Sequence, residues 1–281
     1  MHPDHRAIVN PERTDAADEL TQHVDVTVER PASADGLASA AEQAVDAGAD
    51  VVAAVGGDGT QRTVAEAVAH TDTELAVVPG GTVNLLGRVL GIESIEDAAA
   101  AIERGKARPL DLARCDDRAF VLNSSTGLDA EVIAHTGDRA KRFGRVGYTA
   151  VGLREVARAR TGRCTVVVDG ETVFDDEALT VLVLNVGERG SANFTLAPGA
   201  TPDDGLLDVV VVRGSRRALI RAGIARVRGR TPRDADAVMA RGSRIEVRWD
   251  REVAVQCDGD AFGHRSAVTY TVEPSAVAVR A

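Results

Sequence analysis

One stretch constrains the fold more than any other. Val51-Val52-Ala53-Ala54-Val55 is an unbroken apolar run that stops at Gly56-Gly57-Asp58-Gly59-Thr60, and a helical pattern follows at once over residues 61–70. Such a run is the pattern of a strand covered on both faces. Glycines at its end let backbone N–H groups approach a ligand without an intervening Cβ. The helix that follows adds unsatisfied amides and the positive end of its dipole. The combination suits a phosphate group, and Thr60 is placed either to cap the helix or to hydrogen-bond that phosphate. The competing reading is a plain strand-to-helix turn with Asp58 as a capping group.

The design recurs 24 residues on. Ala76-Val77-Val78 leads into Pro79-Gly80-Gly81-Thr82 and then into a second helical segment beginning with Val83-Asn84. Consecutive parallel strands put both loops at one edge of a sheet, where open α/β folds bind ligands. Two such loops can hold a polyphosphate. A bare carboxylate would repel it, so Asp58 is expected to organise Mg²⁺ or its waters rather than to touch phosphate. The loops are neither a GxxxxGK[ST] phosphate loop nor a GxGxxG dinucleotide fingerprint, and protein-kinase signatures are missing.

The first third alternates strands and helices: strands at 6–10, 25–29, 50–55 and 74–79, helices at 15–24, 36–49, 61–70, 83–91 and 94–105. Ser94, with Asp97 three residues later, forms a helix-start signature, and Gly105 a stop. This rhythm implies a parallel sheet. From about Pro109 it changes to short apolar or alternating segments separated by turn residues, interrupted by helical stretches near 139–159 and 215–228. The expected fold is therefore an α/β N-terminal domain with a parallel sheet, residues 1–110, and a C-terminal antiparallel β-sandwich-like domain with inserted helices, residues 111–265.

Composition narrows the function classes. No apolar stretch of the 281 residues approaches a membrane span, and the start lacks a signal-peptide profile, so a cytoplasmic protein is expected. Cys115, Cys164 and Cys257 are far apart and show no metal spacing, which reads as buried thiols. The six histidines show no metal spacing either, and Ser124-Ser125 is not a nucleophile elbow. The net charge of −10 argues against nucleic acid as a partner. That average hides an asymmetry. Residues 139–163 hold eight basic residues and one acidic, and residues 213–233 hold eight and none; these 46 residues carry +15, which leaves −25 on the rest. In 213–230, Leu219, Ile220, Gly223, Ile224 and Val227 share one helical face with arginines on the others. A basic amphipathic helix can rest on anionic lipid headgroups. The alternative is a helix packed on its sheet with its arginines paired to acidic groups.

The motifs VGGDGT and PGGTVNLLGRVLG, continued through RPLDL (108–112), FVLNSSTGLDAEV (120–132), FGRVGY (143–148), LAPGATPDDGLLDVVVV (196–212) and CDGD (257–260), resemble the diacylglycerol kinase catalytic-domain family, the lipid kinases related to sphingosine kinases and more distantly to NAD kinases. The resemblance covers nearly the whole chain in order. It implies ATP held in a cleft between two domains, a last segment from about residue 266 returning to the first domain, and Mg²⁺-dependent transfer of the γ-phosphoryl group to the hydroxyl of a diacylglycerol-like membrane lipid. It implies that Asn10, Gly56, Gly57, Asp58, Gly59, Thr60, Gly80, Gly81, Thr82 and Asn84 line the nucleotide site. It also implies that Asp204, with the backbone carbonyls of Thr201 and Leu206, holds a structural Mg²⁺. Asp260 takes the position of the catalytic base, with Asp258 as an alternative.

Three positions depart from the family pattern. Glu12-Arg13 follow Pro11 where Ser-Gly is common, Leu85 stands where many members carry Asp, and Asp260 stands where Glu is usual. The enzyme would visit the membrane transiently, through residues 139–163 and 213–233, and a homodimer is compatible with the resemblance. Two rival readings accompany it: a soluble small-molecule kinase of the NAD-kinase type, and a catalytically impaired nucleotide-binding membrane adaptor.

Overall fold

The computed structural model describes residues 3–135, 160–189, 194–195, 197, 199–214, 221 and 236–281. They divide into two compact units. Unit 1 comprises Met1–Leu112, Pro202–Gly205 and Glu273–Ala281; unit 2 comprises Ala113–Thr201 and Leu206–Val272. The helical stretches expected near 139–159 and 215–228 lie outside the described residues, apart from Arg221.

Unit 1 alternates β1 (His5–Val9), α1 (Thr14–Leu20), β2 (Thr27–Glu29), α2 (Gly36–Asp46), β3 (Val51–Gly56), α3 (Asp58–Val68), β4 (Glu74–Pro79), α4 (Leu85–Leu90) and α5 (Ile95–Arg104). Strand β1 pairs in parallel with β2 and β3, and β3 with β4. The last strand, β15 (Asp260–Arg280), brings Val279 and Arg280 alongside Leu75 and Ala76, again in parallel. Residues 51–56 are all buried, because helices cover both faces of this central strand. The covering helices bury small residues, Ala41 and Ala44 of α2 and Ala65 of α3, which lets their backbones come close to the sheet. Helix α5 starts with a capping box. The Ser94 hydroxyl accepts the Asp97 N–H at 3.0 Å and the Asp97 carboxylate accepts the Ser94 N–H at 3.0 Å.

Asp111 closes unit 1 from within. It is fully buried, and its carboxylate accepts the N–H groups of Gly205 and Ser275, both at 2.7 Å, while its own N–H donates to the Pro202 carbonyl at 2.7 Å. One carboxylate thus gathers three segments that are distant in sequence. A buried charge is tolerable there because backbone amides satisfy it.

Unit 2 is antiparallel. Its strands are the end of β5 (Ala107–Cys115), β6 (Arg118–Phe120), β7 (Asn123–Gly127), β8 (Gly162–Val168), β9 (Glu171–Leu184), β12 (Leu207–Arg213), β13 (Ala237–Gly242), β14 (Arg244–Cys257) and the first part of β15, with helix α6 (Leu128–His135) after β7. A separate two-stranded ribbon joins β10 (Glu188–Arg189) to β11 (Phe194–Thr195). Within the main sheet β14 pairs with β15, β7 and β8, and β9 pairs with β7, β8 and β12. The core gathers Phe120, Val166, Val183, Val209, Val247, Trp249 and Tyr270. Phe120 and Tyr270 meet edge to face with centroids 6.2 Å apart. Trp249 is buried, and its indole N–H donates to the Thr126 hydroxyl at 3.1 Å.

All three cysteines are buried and free. Burial pushes the Cys164 thiol up to about 12. The Cys115 thiol is pushed up by its interaction with Cys257 and by burial, so it sits as a structural thiol.

Candidate nucleotide loops and the hairpin of Asp260

In unit 1 the two glycine loops are packed against each other. Gly80 donates its N–H to the Gly56 carbonyl at 3.0 Å. A Cβ on Gly81 would lie 2.5 Å from the Gly57 Cα, and one on Gly80 would lie 3.2 Å from the Gly56 Cα. The glycine at 81 is therefore required by the approach of one loop to the other, before any ligand is considered. Gly59 differs: a Cβ there would meet nothing within 4 Å, and the residue is exposed. The first amides of α3, at Asp58 and Gly59, have no partner within the helix.

Side chains hold this arrangement. Gly57 is the N-cap of α3, with no side-chain cap, so Thr60 does not cap the helix. Thr60 is buried instead, and its hydroxyl accepts the Asn10 amide N–H at 3.0 Å. The Asn10 carboxamide oxygen accepts the Glu12 N–H at 3.0 Å, which fixes the loop after β1. Asn84 adopts φ 49°, accepts the Gly81 N–H at 2.7 Å and donates to the Gly81 carbonyl at 2.9 Å. It thus closes the second loop on itself, while Thr82 is exposed.

Asp58 faces the other loop. Its carboxylate accepts the Leu86 N–H, at the start of α4, at 3.2 Å. Burial pushes this carboxyl above its ordinary 3.8, against the pull of the N–H groups of Leu86, Leu85 and Asp58 itself. Arg13, one of the residues that depart from the family pattern, lies beside the second loop: a Cβ on Gly80 would be 3.6 Å from the Arg13 Cβ.

In unit 2, Cys257 and Asp260 pair across a two-residue hairpin whose central residues, Asp258 and Gly259, have φ of 49° and 85°. This is the type I′ geometry, which Asp-Gly favours. The Asp258 carboxylate accepts three consecutive backbone N–H groups, from Val121, Leu122 and Asn123, at 2.8, 2.9 and 3.0 Å. Asp258 is thereby committed to holding its turn. Gln256, fully buried, accepts the Gly259 N–H at 2.8 Å and donates to the Ser125 hydroxyl at 3.0 Å. Asp260 is exposed and ion-paired to Arg118 at 3.2 Å.

Asp204 is exposed in the turn that follows Thr201. Among the described residues, ligand atoms of three His, Cys, Asp or Glu residues converge within 4.8 Å only at Glu19, His23 and Glu96, all exposed. Of the basic stretches, three described arginines are paired: Arg163 with Asp175 at 3.0 Å, Arg213 with Asp176 at 3.5 Å and Arg221 with the buried Asp236 at 2.5 Å. The remaining residues of 139–163 and 213–233 lie outside the described residues, except 160–162 and Gly214. Among the described residues no helix is long and apolar enough to cross a membrane.

Comparison with known proteins places these features in one family. Residues 10–115 match the diacylglycerol kinase catalytic domain, and residues 123–281 match the YegS C-terminal NAD kinase beta sandwich-like domain. A Pseudomonas aeruginosa protein named "Probable lipid kinase YegS-like" is 31% identical over 243 residues, covering 85% of this chain and 78% of the relative. A Bacillus subtilis protein named "Diacylglycerol kinase" is 28% identical over 220 residues, covering 76% of this chain and 72% of the relative. The crystal structure of a diacylglycerol kinase from Bacillus anthracis superposes with a TM-score of 0.76 at 20% identity, over 99% of this chain and 96% of that one. An NAD kinase from Archaeoglobus fulgidus superposes with 0.56 at 14% identity, over 99% of this chain and 93% of that one, a likeness of fold. The chain belongs to the diacylglycerol kinase catalytic-domain family of lipid kinases, with a C-terminal domain of the YegS type.

Proposed function

We propose that this enzyme transfers the γ-phosphoryl group of ATP to the hydroxyl of a diacylglycerol-like membrane lipid. The observation that supports it most is the pair of interlocked glycine loops, with the open position at Gly59 and the amides that begin α3. A polyphosphate suits such donors, and phosphoryl transfer asks a protein for alignment and charge neutralisation more than for covalent chemistry. In this reading Gly56, Gly57, Gly59, Thr60, Gly80, Gly81 and Thr82 bind the nucleotide, with Asn10 and Asn84 holding the loops in shape. Asp58 supports the start of α4 and faces the metal-bound nucleotide. Asp260 accepts the proton of the lipid hydroxyl as the new oxygen–phosphorus bond forms and ADP leaves.

Mg²⁺ would supply charge neutralisation at the phosphates, and a second, structural Mg²⁺ would sit at Asp204 with the carbonyls of Thr201 and Leu206. That oxygen-only donor set matches the preference of a hard cation. Access to the lipid would come through an anionic membrane surface met by the arginine-rich stretches. The pairing of Arg163, Arg213 and Arg221 reduces the charge these three offer to such a surface.

The test is incubation with labelled ATP, Mg²⁺ and vesicles of a total polar-lipid extract at several salt concentrations. Label in a lipid is expected. Label on added NAD and none on lipid would replace this reading with a soluble-alcohol kinase.

A further inference from the structure

We propose that Arg118 is a positioning residue for Asp260, holding the carboxylate in the orientation from which it takes the acceptor's proton. The proposal rests on the reading of Asp260 as that base. Two tight turns of unit 2 carry the pair at equivalent places. Cys115 and Arg118 are partners across the β5–β6 hairpin, as Cys257 and Asp260 are across the β14–β15 hairpin. The inner residues of the two turns, Cys115 and Cys257, are both fully buried in one apolar core. The outer residues, Arg118 and Asp260, form the ion pair at 3.2 Å.

The backbone on both sides of this pair is immobilised. Asp116 donates its N–H to the Thr269 carbonyl at 2.8 Å and accepts the Thr269 N–H at 2.9 Å, tying the first turn to β15. Asp258 grips the N–H groups of Val121, Leu122 and Asn123, immediately after β6. Arg118 itself lies over Phe262, with 5.2 Å from its guanidinium carbon to the ring centroid. Phe262 stands two residues after Asp260, on the same face of the strand. Arg265 lies over the same ring at 4.9 Å. The guanidinium is therefore held by an aromatic face and by the carboxylate oxygen Oδ2 together.

An exposed ion pair contributes little to stability. Its effect here is directional: a half-buried arginine stacked on an aromatic ring narrows the rotamers open to the exposed aspartate it pairs with. Orientation of a reacting group carries large rate factors. This assigns a function to a residue outside the glycine loops and the Asp-Gly turn.

The experiment is a double-mutant cycle in kcat for transfer of label from ATP to lipid in polar-lipid vesicles, using Arg118→Ala, Asp260→Asn and the double variant. Arg118→Ala should lower kcat roughly 10- to 100-fold with the KM for ATP within about two-fold of the parent. It should have no further effect in the Asp260→Asn background, where an arginine that merely maintained the fold would still lower kcat. Added guanidinium should restore part of the Arg118→Ala rate. Arg118→Lys, which keeps the charge without the planar stack, should fall between the two, and it carries the test if the alanine variant does not fold.

Arg118→Ala turning over within two-fold of the parent, while Asp260→Asn is inactive, overturns the positioning role and leaves the base intact. Full turnover by Asp260→Asn overturns the base, and the positioning role with it. Equal losses from Arg118→Ala in both backgrounds reduce Arg118 to a structural residue.

Discussion

The Asp58 carboxylate accepts the Leu86 N–H at 3.2 Å, so the acidic residue of the first glycine loop caps the helix that follows the second. A carboxylate among the loop glycines thus has a protein partner of its own. The contact also couples the loops: the strand-to-helix turn after β3 and the one after β4 share a hydrogen bond between Gly80 and Gly56, a glycine–glycine contact between Gly81 and Gly57, and this cap.

Titration of Asp58 gives a signed prediction. Its folded value is raised above 3.8, first by burial. The folded chain then holds the proton more tightly than the unfolded chain. The stability Asp58 contributes is fully present below 3.8 and is lost as pH rises through the raised folded value. Asp58→Asn should therefore gain stability relative to the parent as pH rises from below 3.8 to 7, as urea unfolding at each pH would show. The same variant should lose phosphoryl transfer, which separates a functional carboxylate from a merely structural cap.

Glycine substitutions should separate loop packing from ligand approach. Gly81→Ala places a Cβ 2.5 Å from the Gly57 Cα and should destabilise unit 1 by about 1–3 kcal/mol. Gly59→Ala meets nothing within 4 Å and sits in the first turn of α3, so stability should be unchanged or improved by roughly 0.5 kcal/mol. Thermal unfolding measures the first pair of effects. The KM for ATP measures the second, and it should rise for Gly59→Ala if phosphate approaches that backbone.

The two aspartates of the hairpin should behave oppositely. Asp258→Ala strands three backbone donors and should cost roughly 3 kcal/mol in urea unfolding. Asp258→Asn, which keeps one acceptor oxygen and tolerates φ 49°, should cost less. Asp260→Asn should stay within about 1 kcal/mol of the parent, because the ion pair with Arg118 is exposed, yet its turnover should collapse.

Asp111 should prove a structural carboxylate. Asp111→Leu fills the space with apolar atoms and leaves the N–H groups of Gly205 and Ser275 without their acceptor, at a cost of roughly 3 kcal/mol. Limited proteolysis should then cut first near residues 202–205 or 273–275, the segments this carboxylate gathers. An unchanged proteolysis pattern would remove Asp111 from that role.

Particular residues mark what one sequence can express. The run Val51–Val55, the turn after it and the Ser94–Asp97 capping box are local patterns, legible because the apolar period and the cap spacing are properties of a few consecutive residues. The Asp-Gly turn at 258–259 was likewise written locally, in the preference of that pair for positive φ. The work of the Asp258 side chain was not, because its three donors lie more than 130 residues earlier. Thr60 shows the same divide. Its position after three glycines suggested a cap or a hydrogen bond to phosphate, and its burial against Asn10, 50 residues away, made it an acceptor.

By itself the sequence determined the alternation of strands and helices in the first third, the change to short strands after residue 109, the two glycine loops and the family to which the chain belongs. Tertiary structure alone decided which glycines the approach of the two loops requires, that Asp58 caps a neighbouring helix, that Asp111 ties Gly205 and Ser275 together, and that Arg118 meets Asp260. The physical reason is common to all four. Close backbone approach, a carboxylate's choice of amides and an ion pair across two turns are relations between residues far apart in the chain, which take definite form only when the sheet brings them within hydrogen-bonding distance.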